Sequence, residues 1–101
     1  MSSEKITVTV DKDLEDLIPG FMQRRRGDVE SLKVSLSAGE LDKIRITGHS
    51  MKGTGGGYGF DELSQIGAEL EKSALAGDAE EISALIDRLE RYLDNVAIRF
   101  E

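Results

Sequence analysis

The stretch "LDKIRITGHSMKGTGGGYG" (residues 41–59) repeats an apolar or small residue at the spacing of one helix face. The repeated positions, which are 3, 4, 3 and 4 residues apart, are Leu41, Ile44, Gly48, Met51 and Gly55. Because an α-helix turns once in about 3.6 residues, these positions form one stripe and predict an amphipathic helix. Glycines at positions 57 and 59 then predict the turn that ends the helix.

Three further segments on either side of this helix carry an apolar stripe with the same period. They are Ile18, Phe21, Met22, Val29, Leu32 and Leu36; then Phe60, Leu63, Ile66, Gly67, Leu70 and Ala74; and last Ile82, Leu85, Ile86, Leu89, Leu93, Val96 and Phe100. Pro19 suits the first turn of the first helix, and Gly39 suits the left-handed position just past its end. Gly77 ends the third helix, while Asp78 and Glu81 occupy the capping-box positions of the fourth.

The links between these four segments are short, which favours antiparallel neighbours. We therefore predict an all-α fold, an antiparallel up-down four-helix bundle over residues 11–101. A short amphipathic helix, "DKDLEDLI" (11–18), opens the bundle. The segment "ITVTV" (6–10) alternates like a strand, but no second strand is predicted to pair with it. Residues 1–10 are therefore expected to form an N-terminal arm that is extended or disordered.

Composition excludes several classes of protein. The chain has 101 residues, 39% of them hydrophobic and 33% charged, which predicts one water-soluble globular domain. The net charge of −7 disfavours nucleic acid as a partner, because phosphate repels an acidic surface. The only basic cluster, "RRR" (24–26), is interpreted as a solvated helix face.

Cysteine usage and the N-terminus bear on the compartment. With no cysteine, the chain has no disulfide, thiolate metal site or catalytic thiol, which fits a reducing compartment. No apolar run reaches the 18 or so residues of a membrane span, and "MSSEKITVTV" (1–10) lacks the apolar region of a signal peptide. We expect a cytoplasmic protein that does not bind membranes.

The chain has a single histidine, His49, on the predicted second helix. Arg45 and Ile46 precede it by four and three residues, and Lys52 and Gly53 follow it by three and four, so all four are its neighbours on the helix surface. Glycine inside a helix costs roughly 1 kcal/mol relative to alanine. Because Gly53 is not at the turn, its predicted use is to leave room for another surface to approach the imidazole.

An exposed imidazole beside a lysine suits phosphoryl chemistry. Neutral imidazole is a good nucleophile near pH 7, and Lys52 supplies a mobile positive charge close to any phosphoryl group that His49 receives. The sequence contains neither a GxxxxGK[ST] loop nor a strand-to-helix GxGxxG turn, so no kinase activity of its own is predicted. One histidine without cysteine also predicts no metal site.

The segment "HSMKGTGGGYG" (49–59) resembles the signature of the histidine-containing phosphotransfer (HPt) domain family. The matching positions are His49, the apolar Met51, Lys52, Gly53, the small residue Thr54 and Gly59, followed by Leu63, Leu70 and Glu71. Methionine at position 51, where leucine is usual, is a volume-conserving departure. The resemblance extends from Leu14 to Phe100 and implies the same four-helix bundle.

The resemblance also implies roles for four residues. His49 corresponds to the phosphoacceptor, Lys52 to the lysine that neutralises phosphohistidine, and Gly53 to the glycine that leaves room for the partner's active site. Glu71 lies 22 residues after His49 on the neighbouring helix. Its carboxylate is expected to accept a hydrogen bond from the imidazole Nδ1–H, which would fix the tautomer and make Nε2 more nucleophilic.

The resemblance further implies partners and a place in signalling. Arg45, Ile46 and Gly56 are expected, by position, to form part of the docking rim. The implied function is to carry a phosphoryl group in a two-component phosphorelay, between a histidine kinase or receiver-domain aspartate and another receiver domain. The chain would be a phosphocarrier rather than an enzyme, with no cofactor of its own, because Mg²⁺ belongs to the receiver. A monomer is expected.

An alternative function stays open at this point. The bundle would then be an interaction module that binds receiver domains or other signalling partners through the same face without being phosphorylated.

Overall fold

The computed structural model describes residues 6–101, most of which lie in four α-helices. The helices are α1 (Ile18–Ser37), α2 (Leu41–Gly57), α3 (Asp61–Ala76) and α4 (Ala79–Asn95). Two strands, β1 (Ile6–Val10) and β2 (Val96–Phe100), lie at the two ends of the described chain, and a 3-10 helix (Lys12–Leu17) joins β1 to α1. The predicted four-helix bundle is confirmed.

Three finer predictions about this architecture stay predictions. One is the antiparallel up-down order of the helices, and another is the short amphipathic helix over residues 11–18, where the structure has the 3-10 helix. The third is the division into an arm of residues 1–10 and a bundle of residues 11–101. Residues 1–5 of that arm lie outside the described part of the chain.

The helix ends follow from local chemistry. Gly39 and Gly77 have φ angles of +70° and +71°, which glycine adopts without the steric cost of a Cβ. The Asp78 carboxylate accepts a hydrogen bond from the Glu81 N–H at 3.1 Å and so caps α4. In a full capping box, the Asp78 N–H would donate to the Glu81 side chain. Here it donates to the Ser73 carbonyl at 3.0 Å.

One hydrophobic core lies between the helices, and the predicted stripes supply most of it. Its buried members are Val10, Ile18, Phe21, Val29, Leu32, Ile44, Met51, Phe60, Leu63, Ile66, Leu70, Ala74, Ile82, Leu85, Ile86, Leu89, Tyr92 and Leu93. Full burial of one large apolar side chain contributes roughly 1.5–3 kcal/mol, so burial of these stripes is the main force that holds the helices together.

The prediction that α4 continues to Phe100 is wrong, and so is the prediction that residues 6–10 have no strand to pair with. The helix ends at Asn95, and β2 pairs with β1 in parallel, with Ile6 opposite Val96 and Val10 opposite Phe100. Apolar residues at 96 and 100 fit helical spacing, while 96, 98 and 100 fit a strand equally well. The partner strand is remote in sequence, so local periodicity did not reveal it.

The interpretation of "RRR" as a solvated face is wrong for Arg25, which is only 8% exposed. Its Nε lies 2.8 Å from Asp28 Oδ2, its Nη1 donates to Thr54 Oγ1 at 2.8 Å, and its guanidinium lies 5.1 Å from the Phe21 ring centroid. Burial raises the pKa of Asp28, and the Arg25 charge offsets only part of this effect. Arg25 is four residues from both Phe21 and Val29, so it belongs to the apolar stripe of α1.

The backbones of α2 and α3 approach each other closely at three glycines, Gly48, Gly55 and Gly67. A Cβ on Gly48 would lie 2.7 Å from the Gly67 carbonyl oxygen and 2.8 Å from the Glu71 nitrogen. A Cβ on Gly67 would lie only 2.5 Å from the Lys52 nitrogen. No larger residue fits at either position without a shift of the helices, so this contact places Glu71 of α3 against the part of α2 that bears His49.

Candidate functional site

His49 projects from the outer edge of α2. Gly48 and Met51 on the same helix are buried in the contact with the rest of the bundle, whereas the His49 side chain is 67% exposed. The ring therefore lies where another molecule can reach it while its backbone is anchored by the packed face of the helix.

Glu71 links His49 to Lys52. Its Oε2 lies 2.9 Å from His49 Nδ1, and its Oε1 accepts a hydrogen bond from Lys52 Nζ at 3.0 Å. The Glu71 side chain is 20% exposed, so this link is partly shielded from water. The hydrogen bond from Lys52 lowers the pKa of Glu71, the bond with His49 lowers it further, and partial desolvation opposes both.

The charge of Glu71 determines which ring nitrogen carries the proton. A carboxylate only accepts hydrogen bonds, so His49 Nδ1 must be the donor. In a neutral imidazole the other nitrogen, Nε2, then holds a free lone pair. Because Nδ1 is bound to Glu71 and most of the ring is exposed, Nε2 is the nitrogen available to an incoming group.

The surface beside His49 is bare. A Cβ on Gly53 would have no atom of the described chain within 4 Å outside its own helical surroundings, and one on Gly56 would meet only Ser64 Oγ, at 3.6 Å. The packing of the bundle therefore does not require glycine at position 53. This open strip leaves space for a second molecule.

The other residues predicted at the docking rim lie on α2 as well. Ile46 is 54% exposed, one turn before His49. Arg45 is held by Asp42 through an Nη2–Oδ1 distance of 3.0 Å. The roles assigned to these two residues, to Gly56 and to His49 and its neighbours stay predictions.

Two side chains from neighbouring helices bind the glycine-rich end of α2. Ser64 of α3 donates its hydroxyl to the Lys52 carbonyl at 2.7 Å, and Arg25 of α1 donates to Thr54 Oγ1. Thr54 in turn donates to the Ser50 carbonyl at 3.0 Å. The sequence analysis did not single out Ser64, because a half-buried serine at a helix surface carries no periodic signal, and its contact depends on the approach of α3 to α2.

Two further properties concern metals and membranes. Residues 6–101 contain no group of three histidine, aspartate or glutamate side chains placed to hold a metal ion. None of the helices in this part of the chain is both long enough and apolar enough to cross a membrane.

Comparison with known proteins gives one positive result. No curated protein and no solved structure matches the chain significantly. The family model described as "Hpt domain" matches residues 16–97, which include all four helices and the whole of the His49 site. Proteins of this family carry out phosphotransfer in two-component phosphorelays, and the chain belongs to the Hpt domain family.

Proposed function

We propose that this protein carries a phosphoryl group on His49 Nε2 between a donor and a receiver domain. The donor is a histidine kinase or the phosphoaspartate of a receiver, and the acceptor is the aspartate of another receiver. The observation that carries the proposal is the contact of Glu71 with both His49 Nδ1 and Lys52 Nζ, at 2.9 and 3.0 Å.

The transfer step uses the lone pair on Nε2. When a phosphoaspartate is the donor, an Nε2–P bond forms while the P–O bond to the aspartate breaks, and the aspartate leaves as a carboxylate. The Nδ1 proton stays on the ring, which gains positive charge as the bond forms. The Glu71 carboxylate, hydrogen-bonded to Nδ1–H, stabilises that charge. Transfer onward reverses these bond changes.

Lys52 compensates the charge that arrives with the phosphoryl group. Its ammonium already lies on the same carboxylate as His49, on the helix turn that follows the ring. An ammonium has three donors, so Lys52 can keep its bond to Glu71 and donate to a phosphoryl oxygen as well. Glu71 therefore holds both the nucleophile and the counter-charge in place before a partner arrives.

The bare strip next to His49 suits docking of a globular partner. In-line transfer requires the reacting atoms to come within about 3–3.5 Å, so the partner's active site must approach the ring closely. The open space at Gly53 and Gly56 permits this approach, and the exposed Ile46 supplies an apolar contact at the rim. The receiver brings its own Mg²⁺ to the transferred group.

The experiment that tests the proposal is phosphoryl transfer from a phosphorylated receiver domain in the presence of Mg²⁺. Intact-mass spectrometry should show the gain of one phosphoryl group that is labile in acid and stable in base. The variant His49→Gln, which retains the size of the side chain and a hydrogen-bonding group, should show no gain. Glu69→Gln is the control. It alters a carboxylate of α3 that pairs with Arg88 instead of His49 or Lys52, and it should behave as the wild type.

Two results would count against the proposal. A phosphoryl group that remains on His49→Gln would place the acceptor elsewhere. No transfer from several competent receivers and kinases to a folded protein that still binds them would favour the interaction module described above.

A further inference from the structure

The end of α2 that carries Lys52 is intrinsically a poor helix. Glycine occupies positions 53, 55, 56 and 57, and each interior glycine costs roughly 1 kcal/mol relative to alanine. Such a segment frays unless other parts of the protein hold it. Lys52 is the residue at which this stretch begins, so fraying would move its side chain away from His49.

Two side-chain hydrogen bonds from the neighbouring helices oppose fraying, one from α3 and one from α1. On the α3 side, the Ser64 hydroxyl donates to the Lys52 carbonyl at 2.7 Å. On the α1 side, the Arg25 guanidinium donates to the Thr54 hydroxyl at 2.8 Å, and this hydroxyl in turn donates to the Ser50 carbonyl. Arg25 is buried and also paired with Asp28, so this second bond starts from a fixed group.

Both hydrogen bonds stabilise the backbone around Lys52, and neither contacts its ammonium. Its carbonyl is bound by Ser64, while its Nζ lies on Glu71 at 3.0 Å. Lys52 is thus attached to α3 at two points. If the backbone point is lost, the ammonium is held only by its ion pair with Glu71. The Lys52 side chain is 44% exposed, and an ion pair with such an exposed member holds its partner weakly.

We infer that Ser64 and Thr54 are positioning residues, which keep the glycine-rich end of α2 helical and thereby hold Lys52 beside His49. The effect of these residues on phosphoryl transfer rests on the proposed function. Their effect on the helix end and on the position of Lys52 can be measured without transfer. Neither residue touches the reacting atoms; each acts through Lys52.

Ser64→Ala and Thr54→Val are the variants that test it, with Thr54→Ser as the conservative variant that retains the hydroxyl. The exposed Ser83 on α4 provides a matched control, Ser83→Ala. The first readout is hydrogen exchange at the amides of residues 53–57, which should become about fivefold faster in Ser64→Ala and Thr54→Val. Thr54→Ser and Ser83→Ala should exchange as the wild type does.

The second readout is the NMR titration of the Glu71 carboxyl, whose pKa is lowered chiefly by its bond with Lys52. If Lys52 loses its place, this pKa rises towards the ordinary glutamate value of 4.5. A merely structural loss of stability elsewhere in the bundle would leave the titration unchanged.

The third readout is a double-mutant cycle on the rate of transfer to His49. Ser64→Ala should slow transfer about fivefold in the wild-type background and have no further effect in a Lys52→Met background, because its influence passes through Lys52. A full additional loss in the Lys52→Met background would overturn the inference. So would unchanged exchange and an unchanged Glu71 titration in Ser64→Ala. If the wild type accepts no phosphoryl group, the proposed function fails, and exchange and titration still decide the positioning role.

Discussion

At the scale of single residues, the site depends on one carboxylate with two partners. Glu71 binds the imidazole with one oxygen and the ammonium with the other, so a single carboxylate orients both His49 and Lys52. Because Lys52 lowers the pKa of Glu71, the group is a carboxylate throughout the neutral range and always an acceptor. The tautomer of the neutral ring is thus set from the neighbouring helix.

Replacing Glu71 with glutamine tests this arrangement. The amide oxygen can still accept from Nδ1–H, but the charge that stabilises the ring and attracts Lys52 is lost. We expect phosphoryl transfer to His49 to slow at least tenfold, because the positive charge that develops on the ring is no longer stabilised by a carboxylate. Initial rates from a phosphorylated receiver measure this effect. Equal rates for Glu71→Gln and wild type would mean that hydrogen bonding alone, without charge, is sufficient.

A second residue-scale property is the buried phenol of Tyr92. The side chain is 2% exposed, and its hydroxyl has no hydrogen-bond partner among residues 6–101. Burial raises the pKa of Tyr92 to about 12, and the nearby carboxylates of Glu62 and Asp61 add to the shift. The phenolate is therefore strongly disfavoured in the folded protein.

This shift has a defined sign for stability. The phenol of the unfolded chain ionises first, near pH 10, so the folded state loses stability as the pH rises from about 10 to about 12. Urea unfolding should show a loss of roughly 2–3 kcal/mol over this range that is absent in Tyr92→Phe. At neutral pH the phenylalanine variant should be at least as stable, because it removes an unpaired buried hydroxyl. The same alkaline loss in both proteins would assign it to other groups.

At the scale of secondary-structure elements, α2 combines opposing requirements. Its inner face needs glycine at 48 so that α3 can approach, while the glycine at 53 faces open space and satisfies no contact in the bundle. The first is explained by packing within the chain. The second weakens the helix without any gain in packing, which fits its predicted role of leaving room for a partner.

Gly53→Ala should therefore have opposite effects on stability and on transfer. The methyl group meets nothing in the folded chain, so the free energy of unfolding should rise by roughly 0.5–1 kcal/mol. In the proposed complex with a receiver domain, the same methyl group would lie between His49 and the partner, so transfer should slow roughly tenfold or more. Gly27→Ala on α1, where a Cβ also meets nothing, is the matched control and should gain stability alone. A transfer rate in Gly53→Ala equal to that of the wild type would show that transfer does not need the open space at Gly53.

At the scale of the whole molecule, the two ends of the described chain join in a small parallel sheet. β1 and most of β2 lie outside residues 16–97, the part that the family model matches. The sheet nevertheless contributes to the core, because Val10 is only 1% exposed and Val8 and Phe100 pack against the buried cluster. It is an addition to the four-helix bundle that closes one end of the chain on the other.

Val10→Ala tests whether this sheet folds with the bundle. Removing two buried methyl groups should lower the free energy of unfolding by roughly 1–3 kcal/mol, with an unchanged denaturant slope. Val34→Ala makes the same chemical change at a position that is 67% exposed and should stay within about 0.5 kcal/mol of wild type. Equal effects of the two substitutions would show that β1 is not part of the cooperative unit.

The sequence by itself determined the four helices, because apolar spacing, caps and turn glycines act over a few residues and mark each segment locally. It also placed Lys52 and Gly53 beside His49, since residues three and four apart on a helix share a surface. Tertiary structure alone decided the burial of Arg25, the bond of Ser64 to Lys52 and the pairing of β1 with β2. Each of these depends on segments that are distant in the chain and meet only when the bundle packs. The contact of Glu71 with both His49 and Lys52 was expected only from family resemblance, and its physical cause is the approach of two backbones at Gly48 and Gly67.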